Sequence, residues 1–111
     1  MKKTMFAQKN RLHTANKIRS VMRRGRFHRL DKGLQIQEMS VSGENKVAVI
    51  VGKKFAQSAV RRNKQRRILI AALKTVLKDK QQKYNIVVTN KSSREMVSYK
   101  EAKQLFQEKL R

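Results

Sequence analysis

Residues 53–73 read KKFAQSAVRRNKQRRILIAAL. Five cationic side chains fall in the seven positions from Arg61 to Arg67, around Asn63, and the stretch then turns apolar. No acid occurs between Glu44 and Asp79 to neutralise them. The pattern predicts a helix over about residues 57–78. At about 100° per residue, Arg62, Arg66, Leu69 and Leu73 share one stripe, cationic at its start and apolar at its end. Leu69, Ala72, Leu73, Val76 and Leu77 recur at core spacing. Only the C-terminal half is therefore expected to dock fully on a sheet. The first half is expected to overhang, with Arg62 and Arg66 toward a groove and Arg61, Lys64 and Arg67 outward. A charge run is ordinarily a solvated face. One that continues an apolar stripe toward a helix N-terminus, where free N–H groups attract anions, reads instead as an edge for binding RNA phosphates. Lys53 and Lys54 are expected beside that end.

The flanking sequence supplies the rest of a small α+β fold. Thr14 is placed to cap a helix ending near Arg24, with Ala15, Ile18, Val21 and Met22 as its apolar stripe and Gly25 as its stop. Residues 26–30 suggest a short edge strand. Residues 34–40 alternate, with Leu34 and Ile36 on one face and Gln35 and Gln37 on the other. Turn residues at 42–45 and a β-branched run at 47–51 follow, so these two strands are expected to pair as an antiparallel hairpin. Residues 85–89 give another β-branched strand. Ser98 is placed to cap a last helix from Tyr99 to about Leu110, with Ala102, Leu105 and Phe106 inward. The expected architecture is an αβββαβα sandwich, helices on a small central sheet.

The 111 residues suffice for one small domain. The expected organisation is a basic arm over residues 1–9 and a single domain over 10–111. Against 7 Asp+Glu stand 29 Lys+Arg, a formal charge of +22. Such an excess repels itself, and a polyanion relieves it while releasing counterions. Nucleic acid is the leading partner class and an anionic membrane surface the second. The longest apolar run, residues 47–51, is too short to span a bilayer. The absence of cysteine excludes disulfides and Cys-based zinc sites. The first 30 residues lack acids, as transit peptides do, but the later elements need this segment to complete a core.

No catalytic residue or metal ligand stands out. Asp31, Glu38, Glu44, Asp79, Glu95, Glu101 and Glu108 form no i,i+3 or i,i+4 pair for a two-metal site. His13 and His28 sit among cations and read as RNA or surface contacts. Phosphate-cradling glycine loops and nucleophile motifs are missing.

The chain resembles the protein subunit of bacterial ribonuclease P. That family carries a signature of the type K-K, then A-x-x-R-N-R-x-K-R-x-x-R-E. Here it stands as Lys53-Lys54, then Ala59-Val60-Arg61-Arg62-Asn63-Lys64-Gln65-Arg66-Arg67. The family's first-helix pattern, N-R-L-x-x-x-x-x-F-x-x-V-F-x-x-G, appears as Asn10-Arg11-Leu12, Ile18, Val21, Met22 and Gly25. An R-K pair common after a later strand appears as Asn90-Lys91. The similarity is collinear from about residue 9 to 110. Lys64 departs from the signature's central arginine, Ile70 and Ala71 from R-E, and Ile18 and Met22 from aromatics. In the family those aromatics line a cleft for the single-stranded leader of precursor tRNA. Ile18 and Met22 also suit a core.

What the resemblance implies is a subunit of a ribonucleoprotein endoribonuclease. An RNA, with bound Mg2+, would hydrolyse the phosphodiester at the mature tRNA 5′ end, and the protein alone would hold no metal. Arg61, Arg62, Asn63, Lys64, Arg66 and Arg67 would contact the catalytic RNA. Arg11, Ile18, Met22, Lys53, Lys54 and Lys91 would flank the leader or the RNA backbone. The implied partners are ribonuclease P RNA and precursor tRNA, in the cytoplasm, with neither membrane nor DNA. A general RNA-binding or ribosomal protein is the alternative. A stand-alone nuclease is a third reading, opposed by the scattered acids.

Overall fold

The computed structural model describes residues 15–30, 33–78, 80–91 and 95–110. Its elements are α1 (Ala15–Arg24), β1 (Arg26–Arg29), β2 (Leu34–Val41), β3 (Lys46–Val51), α2 (Ala59–Lys78), β4 (Lys83–Asn90) and α3 (Tyr99–Lys109). This is the helix–strand order expected from the sequence, with the edge strand β1 present. Thr14, the expected cap of α1, lies outside the described residues.

The four strands lie in the order β1-β2-β4-β3. Here the expected hairpin is corrected, because β2 and β3 do not pair. β4 lies between them, antiparallel to β2 and parallel to β3. The physical reason is burial. Ile86, Val87 and Val88 are all buried, whereas Ile50 of β3 is 40% exposed. A strand apolar on consecutive positions belongs at a sheet centre covered on both faces. The 42–45 segment still turns, with Gly43 at φ 103. It opens rather than closing a hairpin: Asn45 Oδ1 accepts the Tyr84 N–H at 2.8 Å, so the loop clasps the incoming β4. α2 then supplies the long crossover that a parallel β3–β4 pair requires.

Strand alternation divides the apolar residues between two faces. Leu34, Ile36, Val47, Ile86 and Val88 meet Leu69, Ala72, Leu73, Val76 and Leu77 of α2 and Ala102 and Phe106 of α3 in one buried cluster. Burying a side chain of this size contributes about 1.5–3 kcal/mol, so the C-terminal half of α2 is held by its apolar stripe. Leu105 packs partly buried against the same cluster. On the opposite face Val21 of α1 meets Val87, with Ile18, Met39 and Ala48 around them. Met22 does not join this cluster and is 42% exposed. The stripe centres on Ile18 and Val21, and Met22 lies at its margin.

Local signals set the helix ends. The Gly25 N–H donates to Val21 O at 2.7 Å. A Cβ on Gly25 would lie 2.6 Å from that oxygen and 2.9 Å from Glu38 O, so the turn between α1 and β1 admits no side chain. Ser98 begins α3 with a capping box: its hydroxyl accepts the Glu101 N–H and the Glu101 carboxylate accepts the Ser98 N–H.

Candidate nucleic-acid interface

No residue of α2 before Gln65 is buried. The helix is 20 residues long, about 30 Å at 1.5 Å per residue, so its first turns stand clear of the core. Arg61, Asn63, Lys64 and Arg67 are exposed, while Arg62 and Arg66 are half-buried. The first turns overhang as expected, and Arg62 and Arg66 are less exposed than Arg61, Lys64 and Arg67. Arg66 donates to the Asn63 carboxamide oxygen, which fixes two of the signature side chains against each other.

The approach to this helix is tied to its first turn. Ser58 caps α2: its hydroxyl oxygen accepts the Arg61 N–H at 3.3 Å and its carbonyl accepts the Arg62 N–H at 3.0 Å. The Arg62 guanidinium turns back and donates to Ala56 O at 3.0 Å and Gln57 O at 2.7 Å. Arg61 lies over the buried Phe55 ring, 5.5 Å from its centroid. The Phe55 N–H closes a turn onto Gly52 O at 3.1 Å. Lys53 and Lys54 project into solvent from that turn. Arg62 is thus partly a structural residue, which its place in a cationic run did not reveal. The helix expected from about residue 57 begins at Ala59, because Ser58 serves as its cap.

Lys91 emerges at the same end of the sheet. Register places Val51 beside Asn90 and Leu34 beside Asn90. Gly52 N–H donates to Asn90 O at 3.3 Å, and Lys91 N–H donates to Gly33 O at 3.4 Å. The fold therefore brings Lys53, Lys54, Lys91 and the start of α2 to one end of the sheet. Ile18 and Met22 are set apart from them, on the α1 side. Arg11 lies outside the described residues.

A buried polar clamp lies beneath this surface. Gln65, fully buried, donates to Val97 O at 3.0 Å and accepts the Val97 N–H at 2.8 Å. Asn90 Nδ2 donates to the same Gln65 oxygen at 3.4 Å, while Asn90 Oδ1 is buried without a partner. One glutamine of the signature thus locks α2 to the segment leading into α3. Its neighbours in sequence carry the charge; it carries the register.

No three His, Cys, Asp or Glu among the described residues come together. Glu38, 2% exposed, is committed to Arg26 Nε and His28 Nε2, each 3.1 Å from Oε2. Among the described residues, no helix is long and apolar enough to cross a membrane.

Residues 6–111 match the family model described as Ribonuclease P. Among curated proteins, none matches. Solved structures of the Staphylococcus aureus RNase P protein do. The structure at 2.0 Å has a TM-score of 0.74 at 16% identity, over 91% of this chain and 92% of that one. A mutant of that protein with defective mRNA degradation activity has a TM-score of 0.75 at 14% identity, over 91% and 85%. A further structure of the S. aureus protein has a TM-score of 0.67 at 17% identity, over 96% and 91%. At these identities the likeness is one of fold.

Proposed function

The chain belongs to the ribonuclease P family, as a tRNA-processing ribonuclease P protein with RNA as its partner, and from that premise we propose that it docks on the catalytic RNA through α2 and holds the 5′ leader of precursor tRNA. The observation that carries this reading is the overhang of α2: no residue before Gln65 is buried, and five cations crowd its first turns. Arg61, Asn63, Lys64, Arg66 and Arg67 meet phosphates of the catalytic RNA. Arg62 joins them, since a guanidinium carries five donors and spends two bonds on its own loop. Lys53, Lys54 and Lys91 neutralise backbone phosphates at the same end of the sheet. Arg11, Ile18 and Met22 contribute the contacts with the leader on the α1 side.

The division of labour follows. Hydrolysis belongs to the RNA, with Mg2+ held mainly by RNA phosphates, which are hard oxygen donors suited to it. The protein supplies fixed cations, whose attraction to several phosphates offsets repulsion in the RNA assembly. Such an assembly operates in the cytoplasm.

The test compares precursor tRNA, carrying its leader, with mature tRNA as ligands of the RNA–protein complex. The protein is expected to tighten binding of the precursor and to leave the mature tRNA within about twofold. Equal tightening of both would remove the leader from the account.

A further inference from the structure

The two edges of the sheet differ in how they are guarded. β1, at one edge, is four residues long and reads RFHR, with an arginine at each end. Short length and charge both oppose the addition of a further strand. β3, at the other edge, is six residues long and reads KVAVIV. It carries no charge after Lys46 and no proline, and Val47, Val49, Ile50 and Val51 all suit a pleated strand.

β3 is paired on one side, in a register that runs from Lys46 beside Asn85 to Val51 beside Asn90. Among the described residues, no backbone hydrogen bond joins its outer side to another segment. A strand bonded on one side directs the N–H and C=O groups of alternate residues outward, here over about 20 Å. Both faces beside that row are apolar. Val47 and Val49 pack with the α2–α3 cluster, and Ala48 packs with the α1 cluster. Ile50 is 40% exposed, ready to meet a cross-strand neighbour.

The ends of the row choose the occupant. Lys53 and Lys54 stand exposed just beyond Val51, and the cationic start of α2 follows. At the other end the formal charges of Glu44 and Lys46 offset each other. A second copy would bring the same +22 to this edge and be repelled. RNA offers phosphates to the lysines but no peptide ladder to the strand. We propose that the outer edge of β3 accepts an added strand from a protein partner, antiparallel to β3, apolar along its length and acidic where it begins, over Lys53 and Lys54. Antiparallel pairing is the more stable kind, and it sets the acids at the N-terminal side of the partner's strand. The proposal stands apart from the RNA reading and shares with it only these two lysines.

The test uses the full chain and a nine-residue peptide, two aspartates followed by seven alternating valines and threonines. Hydrogen exchange read by mass spectrometry should slow in residues 46–51 when the peptide binds. The peptide N-methylated along its valine–threonine run should bind about 10- to 1000-fold more weakly by fluorescence anisotropy. Replacing its aspartates with lysines should cost about 3- to 30-fold. In Lys53→Glu with Lys54→Glu that order should reverse, the lysine peptide binding better. Both positions are exposed, so the variant is expected to fold as the wild type does. Unchanged exchange in residues 46–51, or binding indifferent to N-methylation, would overturn strand addition. Binding that ignores the charge reversal would overturn the acidic partner. A dimer in sedimentation of the protein alone, with residues 46–51 protected, would overturn the proposal by giving the edge to a second copy. Protection of the same residues by the catalytic RNA alone would overturn it by giving the edge to RNA.

Discussion

Replacing Gln65 with leucine would leave the cationic surface untouched and remove the clamp beneath it. Leucine fits the volume but offers no hydrogen bond. The Val97 N–H, the Val97 carbonyl and Asn90 Nδ2 would each lose their partner, and Val97 and Asn90 are both fully buried. Each buried polar group left unsatisfied costs about 1–3 kcal/mol. The two short bonds therefore set a loss of about 2–6 kcal/mol, and the 3.4 Å bond adds little. Burying extra apolar surface returns about 1–2 kcal/mol. The net expectation is a destabilisation of about 1–4 kcal/mol, large against a total of about 5–15 kcal/mol for a domain. Urea denaturation followed by far-UV circular dichroism measures it, with an unchanged m value expected. Thermal midpoints should fall by roughly 5–25 °C. Lys64→Leu, one residue away and exposed, is the control and should stay within about 0.5 kcal/mol. A Gln65→Leu protein as stable as wild type would refute the clamp.

Arg62→Ala should cost about 1 kcal/mol, less than the full value of two charge-assisted bonds because the side chain is only half-buried, and should speed proteolysis within residues 53–58; Arg67→Ala, exposed, should leave thermal unfolding unchanged while weakening RNA binding. Equal stability of the two variants would show that Arg62 does not hold the loop. Gly25→Ala should lower stability by about 1–3 kcal/mol, since its Cβ would press on two backbone oxygens; a neutral result in a melting experiment would mean the α1–β1 turn yields easily. If six to ten phosphates are neutralised, affinity for the catalytic RNA should fall about 10³–10⁵-fold between about 50 and 200 mM salt. A flat dependence in a filter-binding titration would contradict phosphate docking.

Much of the fold was legible because its signals are local. Val76 and Leu77 follow the helical period and Ser98 stands as the cap of α3, all found as read, while Glu101's half of the capping box came only with the structure. The β2–β3 hairpin was misread because a four-residue turn between two apolar runs suits either a hairpin or an opened loop. Consecutive strands do usually pair. What decides against it is the burial of β4 on both faces, a tertiary fact. Gln65 shows the opposite case. It precedes Leu69, Ala72 and Val76 by four, seven and eleven positions, so periodicity already placed it on the apolar stripe. Its polarity and cationic neighbours concealed it. Met22 shared the spacing of Ile18 and Val21 yet ends at the solvent, since spacing does not say how wide a face the sheet covers. Arg62 could be read as charge but not as a brace, because its partners are backbone carbonyls.

Cleavage of precursor tRNA by a bacterial ribonuclease P RNA at low magnesium, with and without this protein, tests the account most directly. The protein should restore leader removal at the mature 5′ end and cleave nothing by itself. A variant lacking Lys64, Arg66 and Arg67 should restore far less while melting as the wild type does. Absence of rescue with a cognate RNA would contradict the account, and so would cleavage by the protein alone.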